Sequence, residues 1–145
     1  MYPLITNKHA LAVNQQFNGH SGLLVANSTV YFDAPTAHGA SGKTGKNVTY
    51  PTWQVWRKPL AQPAGAQAVL LINLSEEAQD LSFELAAIDP LHELGDKPTA
   101  IEVWSGDAVK LSGNKTGEAT FEAVAAHDSV FLIVSPTAKQ LEYMV

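Results

Sequence analysis

Cysteine is missing from this chain altogether, which removes disulfides, thiolate nucleophiles and cysteine–zinc sites together. Its absence does not fix a compartment. Charge is scarce as well: Asp, Glu, Lys and Arg make up 16% of the residues, against roughly 25% in an average soluble domain. Hydrophobic residues make up 46%, so the composition is not that of a disordered, strongly charged segment. Basic residues are the scarcer sign, nine Lys+Arg against fourteen Asp+Glu for a net charge of -5. A nucleic-acid phosphate backbone is therefore not an expected partner. No apolar run approaches the roughly 20 residues of a membrane helix, so no membrane partner is expected either. No secretion signal is expected in the first residues, where Met1-Tyr2-Pro3-Leu4-Ile5 gives way at once to Thr6-Asn7-Lys8, too short an apolar stretch for a signal core. Export would depend on sequence upstream, and the numbering is compatible with a start inside a longer protein.

What is present suffices for one domain. The 145 residues should bury roughly 70% of the surface they expose when unfolded, enough for a core without staples. One segment reads as helix. Asn7 is its expected cap, Ala10, Leu11 and Val13 follow near helical spacing, and Gly19 is the expected stop. Beyond Gly22 the pattern is one of strands and turns: Leu23–Val25, Thr29–Phe32, Trp53–Leu60, Gln67–Leu74, Asp80–Leu85, Ala100–Trp104, Ala108–Leu111, Ala119–Val124 and Ser129–Val134. The apolar run 67–74 reads as a central strand covered on both faces, and 80–85 alternates with Leu81, Phe83 and Leu85 inward. Short strands with turn signals and no helices between them predict an all-β fold, an antiparallel two-sheet β-sandwich of Greek-key type preceded by one short helix.

Local motifs for chemistry are few. Ala37-His38-Gly39-Ala40-Ser41-Gly42-Lys43-Thr44 comes within one residue of a phosphate-cradling loop, but Gly45 to Pro51 cannot start the helix that such a loop requires. A glycine-rich surface loop at about 36–52 is the expectation, without nucleotide. His9, His20, His38, His92 and His127 are scattered, with no pair at metal-ligand spacing, so no metal and no cofactor is expected. His127-Asp128-Ser129 is read as a turn, because a catalytic triad is assembled from distant positions. Glu76, Glu77, Asp80, Asp89, Glu93, Asp96 and Asp107 could in principle supply the two carboxylates of a glycosidase. Nothing singles out a pair.

Aromatic residues are the stronger signal, since sugar-binding sandwiches stack exposed rings on pyranose faces. Tyr50, Trp53, Trp56 and Trp104 are the speculative carbohydrate contacts. Alternation puts Trp53 and Trp56 on opposite faces of one strand. Four of the seven asparagines (Asn27, Asn47, Asn73 and Asn114) sit in N-x-[ST] acceptors, where about one is expected by chance, and they are the glycosylation candidates.

Several segments taken in order resemble glycoside hydrolase family 27, the α-galactosidases. Residues 5–16, Ile-Thr-Asn-Lys-His-Ala-Leu-Ala-Val-Asn-Gln-Gln, resemble the family's L-x-N-x-E-V-I-A-I-N-Q-D segment, which belongs to the last helix of the catalytic barrel. Val55-Trp56-Arg57-Lys58-Pro59-Leu60 is similar to its V-W-x-K-P-L strand, and Ala68–Ser75 to A-V-A-L-L-N-L-S. Val103-Trp104-Ser105-Gly106 is similar to the L-W-[ST]-G turn, and Val124–Val130 to the closing V-x-A-H-G-S approach. The order and spacing fit from residue 4 to about 134. Gln16 replaces the usual acid, Asp128 the common glycine, and residues 21–52 are longer than the family's short connection.

The resemblance implies a remnant of the barrel's final helix at 1–20, a C-terminal antiparallel sandwich at 21–136 and a tail at 137–145. It also implies that the family's two catalytic aspartates precede this segment, so no catalytic residue is assigned. The expected function is an accessory domain of an α-galactosidase-like glycoside hydrolase, inert alone, whose partner is the catalytic barrel. A free-standing carbohydrate-binding module that contacts glycan, or an oligomerisation domain dimerising through the N-terminal helix, are the alternatives. A secreted or lysosomal-like location would follow from the family.

Overall fold

The computed structural model describes residues 6–35, 47–111 and 117–137. Helix α1 (Lys8–Gln15) starts where expected, with Asn7 Oδ1 accepting from the Ala10 amide at 2.9 Å, which satisfies one of the donors a helix N-terminus leaves open. It ends earlier than expected. Gln16 is already extended (φ -87°, ψ 135°), and Gly19, with φ +79°, shapes the following bend instead of terminating the helix.

Among the described residues ten strands follow: β1 (Leu23–Asn27), β2 (Tyr31–Pro35), β3 (Asn47–Pro51), β4 (Trp53–Pro59), β5 (Gln67–Asn73), β6 (Gln79–Glu84), β7 (Thr99–Glu102), β8 (Ala108–Val109), β9 (Glu118–Val124) and β10 (Ser129–Ser135). A six-stranded antiparallel sheet runs β1-β4-β5-β10-β7-β8, with β5 in its middle as the apolar run 67–74 predicts. The chain leaves this sheet after β5 and forms the β6–β9 pair opposite it. After β6 it returns through β7 and β8, crosses again in β9 and comes back in β10, so the chain passes repeatedly between two layers, as in a Greek-key sandwich.

Two differences from the sequence reading stand out. Residues 47–51, expected to continue the glycine-rich loop, form β3 and pair with β2 in a separate hairpin. The alternation Val48–Tyr50 carries strand propensity that the glycine and lysine residues before it mask. Between β6 and β7 lies a short helix, α2 (Leu85–Ile88), where only strands and turns were expected. At four residues it has no propensity signal; it forms because Leu85 and Ile88, a turn apart, both drop into the core. The phosphate-loop-like stretch 37–44 with His38, the site Asn114 and the tail 138–145 lie outside the described residues.

Each face of the large sheet has its own apolar cluster. On the inner face Val55, Val69, Leu71, Leu132 and Val134 pack against Leu81 and Phe83 of β6, with Leu85 and Ile88 of α2 closing one end. A bulge in β1 between Leu24 and Ala26 lets Val25 and Ala26 both join this cluster. On the outer face Val13 and Ala10 of α1 sit over Ala68, Ile101 and Ile133. The side of α1 that carries Ala10 and Val13 is thus covered by the chain's own sheet, while Leu11 faces away from it. Lys58 Nζ donates to the Val13 carbonyl at 2.6 Å and holds the helix down.

Candidate functional sites

The four aromatics singled out from sequence fall into two sets, one on the outer face of the large sheet and one near the β2–β3 hairpin. Trp56 and Trp104 lie on the outer face. Register places Leu24, Trp56, Leu70 and Phe131 in one row across β1, β4, β5 and β10. Trp104 extends the row from the turn after β7, its ring 5.8 Å from that of Phe131 at an interplanar angle of 57°, within the tilted geometry aromatic pairs favour. Helix α1 covers only the neighbouring row. Trp56, Leu70 and Phe131 remain half-buried, while Leu24 and Trp104 are exposed. Beside α1 this surface opens a groove of about 400 Å³ lined by Val13, Asn14, Trp56, Lys58, Leu70 and Phe131. On the far side of α1, Leu11 points to solvent, and Phe17 just beyond the helix is 70% exposed.

Trp53 and Tyr50 lie at the other end of the sandwich, near the β2–β3 hairpin. Tyr50 is directly opposite Phe32, with ring centroids 6.0 Å apart. Val30, Phe32 and Trp53 wall a cleft of about 480 Å³ whose rim carries Glu76 and Glu77. Its floor is a closed hydrogen-bond network. Thr52 Oγ1 donates to Ser28 Oγ at 2.8 Å, and Gln79 Nε2 donates to the Thr52 carbonyl at 3.0 Å and to Asn73 Oδ1 at 2.6 Å. Of the cleft's lining groups only Trp53 is among the binding residues expected from sequence; Tyr50 stands behind Phe32 outside the lining. Phe32 and Gln79 carried no local signal, because the cleft is assembled from three stretches 28–32, 52–53 and 75–79.

Asn73 anchors that network. Its side chain is fully buried, and Nδ2 donates to the carbonyls of Glu77, Val124 and Ala125 at 2.8–3.0 Å. The atom to which a glycan would be attached is therefore enclosed and committed in the folded domain. Asn27 is exposed, and its amide donates to Tyr31 Oη at 3.2 Å. Asn47 opens β3 at its pairing with Pro35.

The carboxylates disperse. Glu76 and Glu77 share the cleft rim, where Glu76 Oε2 is 3.2 Å from His127 Nε2. Asp89 caps the backbone, accepting from the amides of Glu93 and Leu94 at 2.8 and 3.0 Å. Asp80 accepts from the Ala123 amide. His20 lines a polar cleft with Arg57, Asp89 and Glu93. Among the described residues no three His, Asp or Glu side chains gather as a metal site.

One histidine is unlike the rest. His9 on α1 is only 6% exposed, and its Nδ1 is buried without a hydrogen-bond partner. It is clamped under the turn after β7, where Asn7 Nδ2 donates to the Trp104 carbonyl at 3.0 Å. A Cβ on Gly106 would sit 3.3 Å from His9 Nε2, so glycine (φ +77°) is what lets the turn close over the ring. Burial pushes the imidazole below its ordinary value of 6.5, and the neighbouring Lys8 adds to this while Glu102 opposes it.

The profile described as alpha galactosidase C-terminal beta sandwich domain matches residues 51–134. Comparison with curated protein sequences gives no match. Among solved structures, a GH27 β-L-arabinopyranosidase from Geobacillus stearothermophilus is similar over 94% of this chain and 23% of its own, at 21% identity and a TM-score of 0.62. The α-galactosidase I of Mortierella vinacea is similar over 93% of this chain and 28% of its own, at 19% identity and a TM-score of 0.62. An α-galactosidase from Saccharomyces cerevisiae is similar over 94% and 37%, at 15% identity and a TM-score of 0.60. The chain thus spans between about a quarter and just over a third of these chains.

Proposed function

Because the chain belongs to the family of alpha-galactosidase C-terminal beta sandwich domains, we propose that it serves as the accessory domain of an α-galactosidase-like glycoside hydrolase and packs against a catalytic barrel through its outer face. The observation that supports this reading is the incomplete cover of that face by the described residues. A sheet with two apolar faces is stable only when both are layered. Helix α1 covers one row of the outer face and leaves the row Leu24–Trp56–Leu70–Phe131 half open. Helix α1 itself is apolar on two sides, Val13 toward the sheet and Leu11 away from it, as suits a helix lying between two layers. Contiguous exposed apolar surface of this kind marks an interaction site.

The domain by itself contributes packing and no chemistry in this reading, since the catalytic aspartates of such enzymes belong to the barrel. The isolated chain should release no galactose from an aryl α-galactoside, and turnover above a heat-killed control would overturn the reading. The mass of the native protein in its source is the positive test. A polypeptide several hundred residues longer that carries a barrel supports it. A free 145-residue protein that light scattering finds as a dimer would instead make a second copy the cover of the outer face.

A further inference from the structure

We propose that the cleft between the β2–β3 hairpin and the loop after β5 is a binding site for a neutral saccharide unit, separate from the outer face and supplied in part by residues outside the matched family region. The cleft has the anatomy of a small-molecule site: apolar walls, a few converging polar groups, and a volume of about 480 Å³, within the several-hundred-Å³ range of ligand pockets. Val30 and Phe32 form one wall and Trp53 another. Trp53 is held from behind by the inner core, so its ring is presented by a rigid strand. The floor is equally fixed. Ser28, Thr52, Ser75 and Gln79 are bonded to one another or to buried Asn73, and the turn at residue 28 is pinned by the Ser28 amide donating to the Trp53 carbonyl at 3.0 Å. A site organised before its ligand arrives pays little ordering entropy on binding.

Charge selects the ligand class. Among the described residues no Lys or Arg lines the cleft, and Glu76 and Glu77 stand at its rim, a charge distribution that disfavours an anionic ligand. The Glu77 carboxylate has no partner among the described residues, while that of Glu76 pairs with His127. The floor oxygens Ser28 Oγ, Ser75 Oγ and Asn73 Oδ1 already accept within their own network, so the acceptors open to a ligand are chiefly the rim carboxylates, beside an aromatic wall. That distribution suits a ligand with several hydroxyl donors and an apolar C–H face, which is a pyranose, better than a single ammonium centre. Ser28, Val30 and Phe32 precede residue 51, where the family match begins, so the hairpin adds this wall to a scaffold that the matched region does not include.

The test is titration of the full chain with galactose, melibiose and galactomannan, read by the Trp53 indole resonance in 15N–1H spectra and by tryptophan fluorescence. Saturable shifts at millimolar sugar are expected. Phe32→Ala and Glu77→Gln, both on exposed elements, should each weaken binding roughly fivefold, the scale of one modest contact, while Trp56→Ala on the outer face leaves it unchanged. The proposal is overturned by an absence of shifts at tens of millimolar sugar. It is equally overturned by undiminished binding in both Phe32→Ala and Glu77→Gln, or by choline binding where the sugars do not. Trp53→Phe, which keeps the core filled, should retain the fold and weaken binding. None of these outcomes bears on the native mass or on barrel packing, so failure here is distinguishable from failure of the accessory-domain reading.

Discussion

Leu70 and Leu71 are consecutive residues of β5, and they end in different environments. Leu71 is fully buried against β6 and β9, whereas Leu70, on the outer face, is only half-buried. The same contrast separates Val55 from Trp56 on β4 and Leu132 from Phe131 on β10. Alternation decides which side a residue faces, but the layer on that side decides how much water it loses. The inner face has a complete layer in β6, β9 and α2. Among the described residues the outer face has one eight-residue helix. An apolar face with half a layer is where a partner should add the rest, and the contrast between the two faces is the argument for the docking surface.

The sharpest way to break that comparison is to truncate the two leucines separately. Leu71→Ala should cost about 2–5 kcal/mol, because the inner core cannot collapse into the space left. Leu70→Ala should cost under about 1.5 kcal/mol, because much of its surface is already hydrated. Urea denaturation followed by tryptophan fluorescence gives both values. Equal losses would mean that the outer face is sealed and needs no partner.

A smaller but still large effect is expected where the inner core meets the cleft. Asn73→Ala would strip hydrogen bonds from the carbonyls of Glu77, Val124 and Ala125 and from the Gln79 amide. Each buried polar group left alone costs about 1–3 kcal/mol, with imperfect additivity, so a net loss of about 2–4 kcal/mol is expected. The exposed Asn27 offers the control: Asn27→Ala should stay within about 0.5 kcal/mol. Both residues sit in the same three-letter acceptor pattern. Thermal melts that fail to separate them would show that the Asn73 network is not what joins β5 to the β9–β10 turn.

The two asparagines also illustrate what a linear reading can and cannot reach. Alternation along Leu81–Phe83 and the apolar run of β5 state their burial directly, because a period of two needs no knowledge of the partner strand. The cap at Asn7 is equally local. The contact of Trp104 with Phe131, and of Tyr50 with Phe32, depends on which strands become neighbours, and register between distant strands leaves no trace in either segment. Asn73 reads as a glycan acceptor because the pattern Asn-Leu-Ser is the same whether the strand end is exposed or buried. It is buried here because the carbonyls of Val124 and Ala125 converge on it from 51 and 52 residues away. Strand β3 was hidden for the opposite reason, with a strong local pattern at Val48 and Tyr50 set beside a polar, glycine-rich stretch.

The smallest effect concerns the cover of the outer face itself, which should loosen in mild acid. His9 holds α1 under the turn after β7 as a neutral ring, its proton affinity lowered first by burial and then by Lys8, against the pull of Glu102. Above its ordinary value of 6.5 the ring is neutral both in the folded chain and once released, so it adds no pH dependence there. As the pH falls from 6.5 toward the lowered folded value, the released ring takes up a proton and the buried ring does not. Stability is therefore lost across that window and levels off below it. Denaturation at pH 7.5 and 5.5 should show a larger loss for the native sequence than for His9→Gln, whose side chain does not titrate. Equal losses in the two proteins would place the acid sensitivity elsewhere and leave α1 as firmly seated at low pH as the inner layer is.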